Sequence, residues 1–301
     1  MKIIFFYNSK SGTIKESPEL LDIITKQIEA VLKHDDSFEK FDVRENDPGK
    51  IIRQNNLTEE DRILIAGGDG TISSVIDKTV DFQIPYGILP LGTFNNFSKC
   101  IGMSQYVEES VEQFLSGKVK SVDVGKVNGR IMINNSSVGI YPKLVAIRED
   151  HQIRFGLGKP LAMIISFIKS MLLFPLIHVS LESDGKKISA LTPFVMVGNN
   201  RYELNLFEIG ERKSLNEGLL YVYFIKCRTR LCVMRVLLKA LFDNLDMEKD
   251  FELISTKKAE LKIRKHKIRA ACDGEIFITT PPLRYQICTS CVKIVYPNNY
   301  E

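Results

Sequence analysis

The run Arg62-Ile63-Leu64-Ile65-Ala66-Gly67-Gly68-Asp69-Gly70-Thr71-Ile72 constrains the fold more than any other stretch of the chain. Its apolar part, 63–66, reads as a buried strand. Three glycines around one aspartate follow, and then a helical segment over 71–79 that Thr71 can cap. Glycines let backbone N–H groups approach an anion, and a helix N-terminus adds partial positive charge. The pattern therefore predicts a strand–turn–helix phosphate cradle. A pure phosphate cradle has no electrostatic reason to hold Asp69. A site that handles Mg²⁺ or takes a proton from a hydroxyl does. Taken alone, the same run reads equally well as a tight turn whose aspartate caps the helix.

A second element favours the functional reading. Residues 85–91 form another short apolar run, followed by Gly92-Thr93-Phe94-Asn95-Asn96-Phe97. Two such turns at the carboxyl ends of neighbouring parallel strands would face one crevice, where open α/β sheets bind ligands.

The length of 301 residues predicts two domains. A hydrophobic share of 44% and a charged share of 26% supply a sizeable core and argue against bulk disorder. A net charge of +4 does not demand nucleic acid, and no zinc-finger or RNP-type spacing is present. The charge fits anionic ligands or an anionic membrane surface. Among six scattered cysteines, Cys288 and Cys291 form a CxxC without a second pair, so reduced cysteines are expected rather than a zinc site. The N-terminal apolar run is too short for a signal peptide and reads as a first strand, which predicts a cytoplasmic protein.

Up to Gly117 strands and helices alternate, with helices expected over 20–32, 48–55 and 107–115, which argues for a parallel sheet covered by helices. Asn8-Ser9-Lys10-Ser11-Gly12-Thr13 reads as a polar turn after the first strand. Beyond Lys118 strand-like runs dominate, and Asn128-Gly129 between two of them is a hairpin signal. The expected division is an α/β nucleotide-binding domain over 1–123 and a mostly antiparallel β domain over 124–289. The apolar segment 159–175 is too short, and too broken by Lys169 and Pro175, for a membrane span. It reads as a buried helix, with an interfacial helix or acyl-pocket wall flanked by Arg148, Arg154, Lys159 and Lys169 as the alternative. The basic run Lys262, Arg264, Lys265, His266, Lys267 and Arg269 reads as a solvated strand face and turn.

Taken together, Asn8-x-x-Ser11-Gly12, Gly67-Gly68-Asp69-Gly70-Thr71, Leu89-Pro90-Leu91-Gly92-Thr93-x-Asn95, Val122-Asp123-Val124-Gly125, Asn216-Glu217-Gly218-x-Leu220 and Asp273-Gly274-Glu275 resemble the diacylglycerol kinase catalytic family, which includes sphingosine kinases and bacterial lipid kinases. The glycine run alone is shared with NAD kinases. The turn at Gly92–Asn95 and the late Asp273-Gly274-Glu275 make the match one of lipid-kinase type. Asn134-Asn135 through Pro142, and Asn199-Asn200-x-Tyr202, resemble a bacterial branch of the family.

The resemblance implies an NAD kinase/diacylglycerol kinase-like α/β domain and a β-sandwich with the active site between them. It also implies that a last strand, about 290–301, returns to the first domain. It implies ATP, Mg²⁺ and phosphoryl transfer to a lipid hydroxyl, diacylglycerol by default. Asn8, Ser11, Gly12, Gly67, Gly68, Asp69, Gly70, Thr71, Ile72, Ser73, Gly92, Thr93 and Asn95 would form the ATP site. Glu275 would accept the proton, and Asp69 would share that role or bind the catalytic Mg²⁺ in a network with Asp123. Ser214, Glu217 and Leu219 would form a second, structural Mg²⁺ site. A lipid at the inner face of a membrane is the implied partner, nucleic acid is not, and a homodimer is left open.

Two departures stand out. Asn96 occupies a position where the family commonly has Asp, removing a charge from the Asp69 network. Ser214 and Asn216 leave Glu217 as the lone carboxylate for a hard cation. An NAD kinase-like enzyme for a soluble substrate and a non-catalytic nucleotide or lipid sensor are the alternatives. The Thr93 turn and the apolar segment argue against the first, and retention of Asp69 and Glu275 against the second.

Overall fold

A computed structural model describes residues 1–139, 176–183, 185–202, 212, 214–225 and 250–298, together with 229, 231, 232, 235, 236 and 239. The segment 159–175 and its flanking cations lie outside the described residues. Among the described residues no helix is long and apolar enough to cross a membrane.

The chain opens with β1 (Lys2–Tyr7), α1 (Gly12–Glu16), α2 (Leu20–Glu29), β2 (Ser37–Asp42), α3 (Pro48–Asn55), β3 (Arg62–Gly67), α4 (Asp69–Thr79), β4 (Tyr86–Pro90), α5 (Asn96–Cys100) and α6 (Val107–Ser116). The four strands are parallel, in the order β2-β1-β3-β4. Their near-continuous apolar runs follow from burial on both faces. Ile4, Phe6, Ile63, Ile65 and Ile88 pack with Ile72, Val75 and Ile76 of α4. Ile3, Phe5, Leu64, Ala66 and Leu89 pack with Ile24 and Ile28 of α2 and with Val111 and Phe114 of α6. Successive residues of a strand thus serve opposite helical layers.

The remaining strands are β5 (Lys118–Val127), β6 (Arg130–Met132), β7 (Asn135–Gly139), β8 (Ile177–Ser183), β9 (Lys186–Thr192), β10 (Phe194–Asn199), β11 (Leu220–Ile225), β12 (Phe251–Thr256), β13 (Lys258–Ile263), β14 (Ile268–Cys272), β15 (Glu275–Thr279) and β16 (Leu283–Tyr296). One sheet runs β12-β11-β10-β7-β14-β15, with antiparallel pairing throughout. The other continues the parallel sheet through β16, β13, β8 and β9, with β5 paired to β16. Val179, Leu181, Leu261 and Leu283 of this sheet meet Val195, Val197, Val222 and Ala270 of the first. The second unit is therefore a sandwich. The Asn128-Gly129 hairpin is present, with both residues at positive φ (50° and 89°) as a two-residue type I′ turn requires.

β5 and β16 belong to both units. Their antiparallel register runs from Tyr285↔Val127 to Tyr296↔Lys118, while Ile294 pairs parallel with Tyr86 of β4. The ten-stranded sheet is consequently continuous, and the division between units falls along these two strands. A bulge in β16 between Cys288 and Val292 lies opposite Asp123. It brings Cys288 and Cys291 to a Cα separation of 5.7 Å, and they are joined as a disulfide, contrary to the reduced state expected from sequence. The bulge supplies a proximity that the spacing in a straight strand would not.

Three local expectations are corrected. The polar turn after β1 continues into α1, whose Ile14 is buried in the core. α4 begins at Asp69 with Gly68 as its N-cap, two residues before the expected Thr71 start. β9 (KKISALT) had no strand expectation, because its alternation is weak and it sits at a sheet edge. The basic run is solvated: Lys262 pairs with Glu182 and Glu260, and residues 264–267 form an exposed turn.

Candidate active site

Strand order reverses at β1, which has β2 on one side and β3 on the other. Ligands of open α/β sheets bind outside the carboxyl ends of the strands at such a switch. The turn after β1 and the Gly67–Gly70 turn after β3 meet there, where Asn8 Nδ2 donates to Thr71 Oγ1 at 3.2 Å. Asn8 also holds its own turn, accepting from Ser11 N at 2.9 Å and Lys10 N at 3.0 Å. Ser11 Oγ is buried and lacks a hydrogen-bond partner, and the space beside Gly12 is open.

The two glycine turns touch. A Cβ on Gly92 would lie 2.3 Å from Gly68 Cα and 2.8 Å from Asn95 Oδ1, while one on Gly67 would strike Thr71 Cβ at 2.7 Å. Glycine is required here by close approach of backbones. Asp69, in the first turn of α4, accepts from Asn96 N at 3.0 Å and Phe97 N at 2.9 Å. It therefore caps the next helix, α5, and its orientation comes from backbone amides whatever side chain stands at 96. Asn95 is buried and left-handed (φ 53°). Its Oδ1 accepts from Gly92 N at 2.8 Å and its Nδ2 donates to Pro90 O and Gln105 Oε1. Its side chain braces the turn, whereas Thr93 is exposed.

Glu275 reaches the cradle from the sandwich. Asp273 (φ 48°) and Gly274 (φ 87°) form the two-residue turn joining β14 to β15, so Glu275 emerges at the start of β15. A Cβ on Gly70 would lie 2.9 Å from Glu275 Oε1. The carboxylate thus rests on the first turn of α4, beside Asp69. Arg130 Nη2 donates to Glu275 Oε2 at 2.6 Å.

Asp273 holds this arrangement. It is buried, and its Oδ2 accepts from Ser73 Oγ at 2.7 Å and Ile133 N at 2.9 Å, its Oδ1 from Asn134 N at 2.8 Å and Asn135 N at 3.1 Å. Burial pushes its carboxyl up to about 6, against the pull of the Ser73 hydroxyl and the amides. Ser73 Oγ also reaches Ile131 O at 3.3 Å, and Asp77 accepts from Ile131 N at 2.6 Å. Ser73 is therefore a tie between α4 and the sandwich, and Ile72 is a core residue; neither offers its side chain to the cradle. On the other side of residues 133–135, buried Arg212 donates to Ile133 O at 2.8 Å, Asn199 O at 3.1 Å and Asn134 Oδ1 at 2.7 Å. Burial opposes its charge, but the fields of Tyr202, Cys100 and Asp273 hold it above its ordinary value. The crossing strip is thus clasped between an anion at its N–H groups and a cation at its carbonyls.

The metal candidates lie apart from a carboxylate cluster. Among the described residues no group of three or more His, Cys, Asp or Glu is placed to hold a metal. Buried Asp123 accepts from Gly218 N at 2.7 Å and Ser290 N at 2.8 Å, fastening the 214–219 loop to the β16 bulge. Ser214 Oγ accepts from Asn216 N, and Leu219 O from Asn200 N. Glu217 Oε2 is buried without a hydrogen-bond partner, which fits a cation. Arg130 and Asp273 carry no site role in the sequence reading: their partners lie 145 and 200 residues away, beyond any local pattern.

A parallel sheet whose glycine turns face a β-sandwich defines a two-unit fold, α/β joined to antiparallel β. Crystal structures from Bacillus anthracis str. Sterne described as diacylglycerol kinases share it. One is 18% identical, with a TM-score of 0.66 over 100% of this chain and 98% of its own. Another is 20% identical, with a TM-score of 0.71 over 100% of this chain and 98% of its own. Residues 2–127 match the family described as the diacylglycerol kinase catalytic domain. A provisionally named lipid kinase of Staphylococcus haemolyticus is 29% identical over 65% of this chain and 64% of its own length. One from Staphylococcus aureus is 29% identical over 66% of each. The match thus spans just under two thirds of these relatives.

Proposed function

We propose that the protein is an ATP-dependent lipid kinase that transfers the γ-phosphoryl group to a hydroxyl of a lipid such as diacylglycerol. The observation that carries this reading is the seat of Glu275 on Gly70, which sets a carboxylate from the acceptor-side sandwich against the first turn of the phosphate-cradle helix. The amides of Gly67–Thr71, the α4 N-terminus, Ser11 Oγ and Thr93 would bind the phosphates. A lipid hydroxyl entering beside Glu275 gives its proton to that carboxylate. Its oxygen bonds to the γ-phosphorus as the bond to the β–γ bridging oxygen breaks, and ADP leaves. Bound Mg²⁺ would neutralise phosphate charge, with Asp69 as its candidate ligand at the cradle and Glu217 as the candidate ligand in the 214–219 loop. Asp69 has both oxygens hydrogen-bonded to amides, yet each keeps a lone pair.

The test is transfer from γ-labelled ATP with Mg²⁺ to a panel of lipid alcohols in mixed micelles, with Asp69→Asn and Glu275→Gln as controls. Label in one lipid, lost in both variants while folding persists, is expected. No label in any lipid, with label appearing in NAD or another soluble alcohol, would replace this reading with the soluble-substrate one.

A further inference from the structure

Neither glycine turn supplies a cation: residues 67–73 and 92–97 contain no Lys or Arg. Lys10, in the neighbouring turn, is exposed, and only its backbone N–H is engaged there. Arg130 is different. It stands at the start of β6, directly after the Asn128-Gly129 hairpin, and its guanidinium is one carboxylate's width from Gly70. Its guanidinium lies over the Phe277 ring, with Cζ 5.8 Å from the centroid. Burial lowers its proton affinity, but the Glu275 hydrogen bond and nearby acids hold it above its ordinary value, so it is always a cation.

We propose that Arg130 is a catalytic residue that binds the γ-phosphate and, in doing so, releases Glu275 to act as the proton acceptor. The inference rests on the kinase reading above. Three observations carry it. The pair is half open to solvent, with side-chain exposures of 33% and 51%, and such pairs exchange partners at little cost. A guanidinium has five donors in a plane and suits phosphoryl oxygens in a bidentate fashion. Arg130 occupies Glu275 Oε2, so transferring the guanidinium to phosphate frees the carboxylate for the incoming hydroxyl. The phosphoryl-transfer transition state spreads charge over the γ-oxygens, where an arginine is most effective.

The experiment compares ATP and ADP affinities, by calorimetry with Mg²⁺, for the full chain and for Arg130→Met and Arg130→Lys. Methionine keeps an unbranched apolar side chain without the charge, and lysine keeps the charge. The expected result is a loss of about tenfold in ATP affinity for Arg130→Met with ADP affinity unchanged, partial recovery in Arg130→Lys, and a kcat fall of about a hundredfold or more. Equal weakening of ATP and ADP, or no weakening of either, overturns the assignment while leaving the kinase reading intact. Failure of the wild-type chain to bind either nucleotide overturns both.

Discussion

Gly70→Ala separates the reaction from the fold. The added Cβ would lie 2.9 Å from Glu275 Oε1, 3.2 Å from its Cγ and 3.3 Å from its Cδ. Ordinary contact begins near 3.4 Å, so the carboxylate must retreat by about 0.5 Å at its nearest atom or turn to another rotamer. Either movement breaks the short hydrogen bond to Arg130. Because Glu275 is a half-exposed, flexible side chain, the retreat costs little stability. Gly70 lies within α4 and has no positive φ, and alanine there favours the helix by up to about 1 kcal/mol. Misplacement of a reacting group by about 1 Å lowers rates on the order of 100-fold, about 2.7 kcal/mol of barrier. The assay is a melting curve beside steady-state transfer from labelled ATP to a lipid alcohol. A melting temperature equal to or above wild type with kcat about 100-fold lower is expected. Full turnover in a stable variant would refute the placement of Glu275 over the cradle, and a collapsed melting temperature would refute the freedom of its side chain.

Gly92→Ala behaves oppositely. Its Cβ would meet backbone at 2.3 Å, which no side-chain movement relieves, so melting temperature and transfer should fall together; a stable, active variant would contradict the contact between the two turns. Asp273 predicts a pH dependence. Its carboxyl is raised from 3.8 to about 6 on folding, so the folded chain holds this proton more tightly, and the stability it contributes is full below about 4 and lost as pH rises through about 6. Roughly two units at about 1.4 kcal/mol each give about 3 kcal/mol, so chemical denaturation should show Asp273→Asn gaining relative to wild type as pH rises from about 4 through about 6; a constant difference would dismiss the assignment. Chelation should lower the melting temperature of wild type and leave Glu217→Gln unmoved, since the orphaned Glu217 Oε2 is the proposed cation ligand; equal responses would empty that site. Asn96→Asp would set a second carboxylate beside Asp69 and should tighten Mg²⁺ dependence without moving Asp69, whose position is set by amides; unchanged Mg²⁺ dependence would exclude position 96 from metal binding.

Much of the architecture was legible because its signals are local. The apolar runs of β3 and β4 are continuous because both faces are covered, and Asn128-Gly129 marks its hairpin because both residues tolerate positive φ. The glycine turns were legible as turns for the same reason. The division of labour inside the site was not. Asp69 caps α5, Asn95 braces its own turn and Ser73 holds Asp273, and each of these contacts depends on which backbone amide or carboxylate the fold brings near. Arg130 could not be singled out among 41 Lys and Arg residues, because its meaning lies in a partner 145 positions away. The Cys288–Cys291 disulfide was missed because a bulge, and not the CxxC spacing by itself, makes the approach.

The shared strands β5 and β16 bear on modularity. A sandwich carried on such strands cannot be exchanged as a cassette, because any cut through β5 severs a ladder that runs from one unit into the other. A nucleotide unit expressed without β16 would present β4 as a raw, apolar edge, the kind of surface that recruits other chains. Units from different chains of this fold are therefore compatible only when their long strands are inherited together.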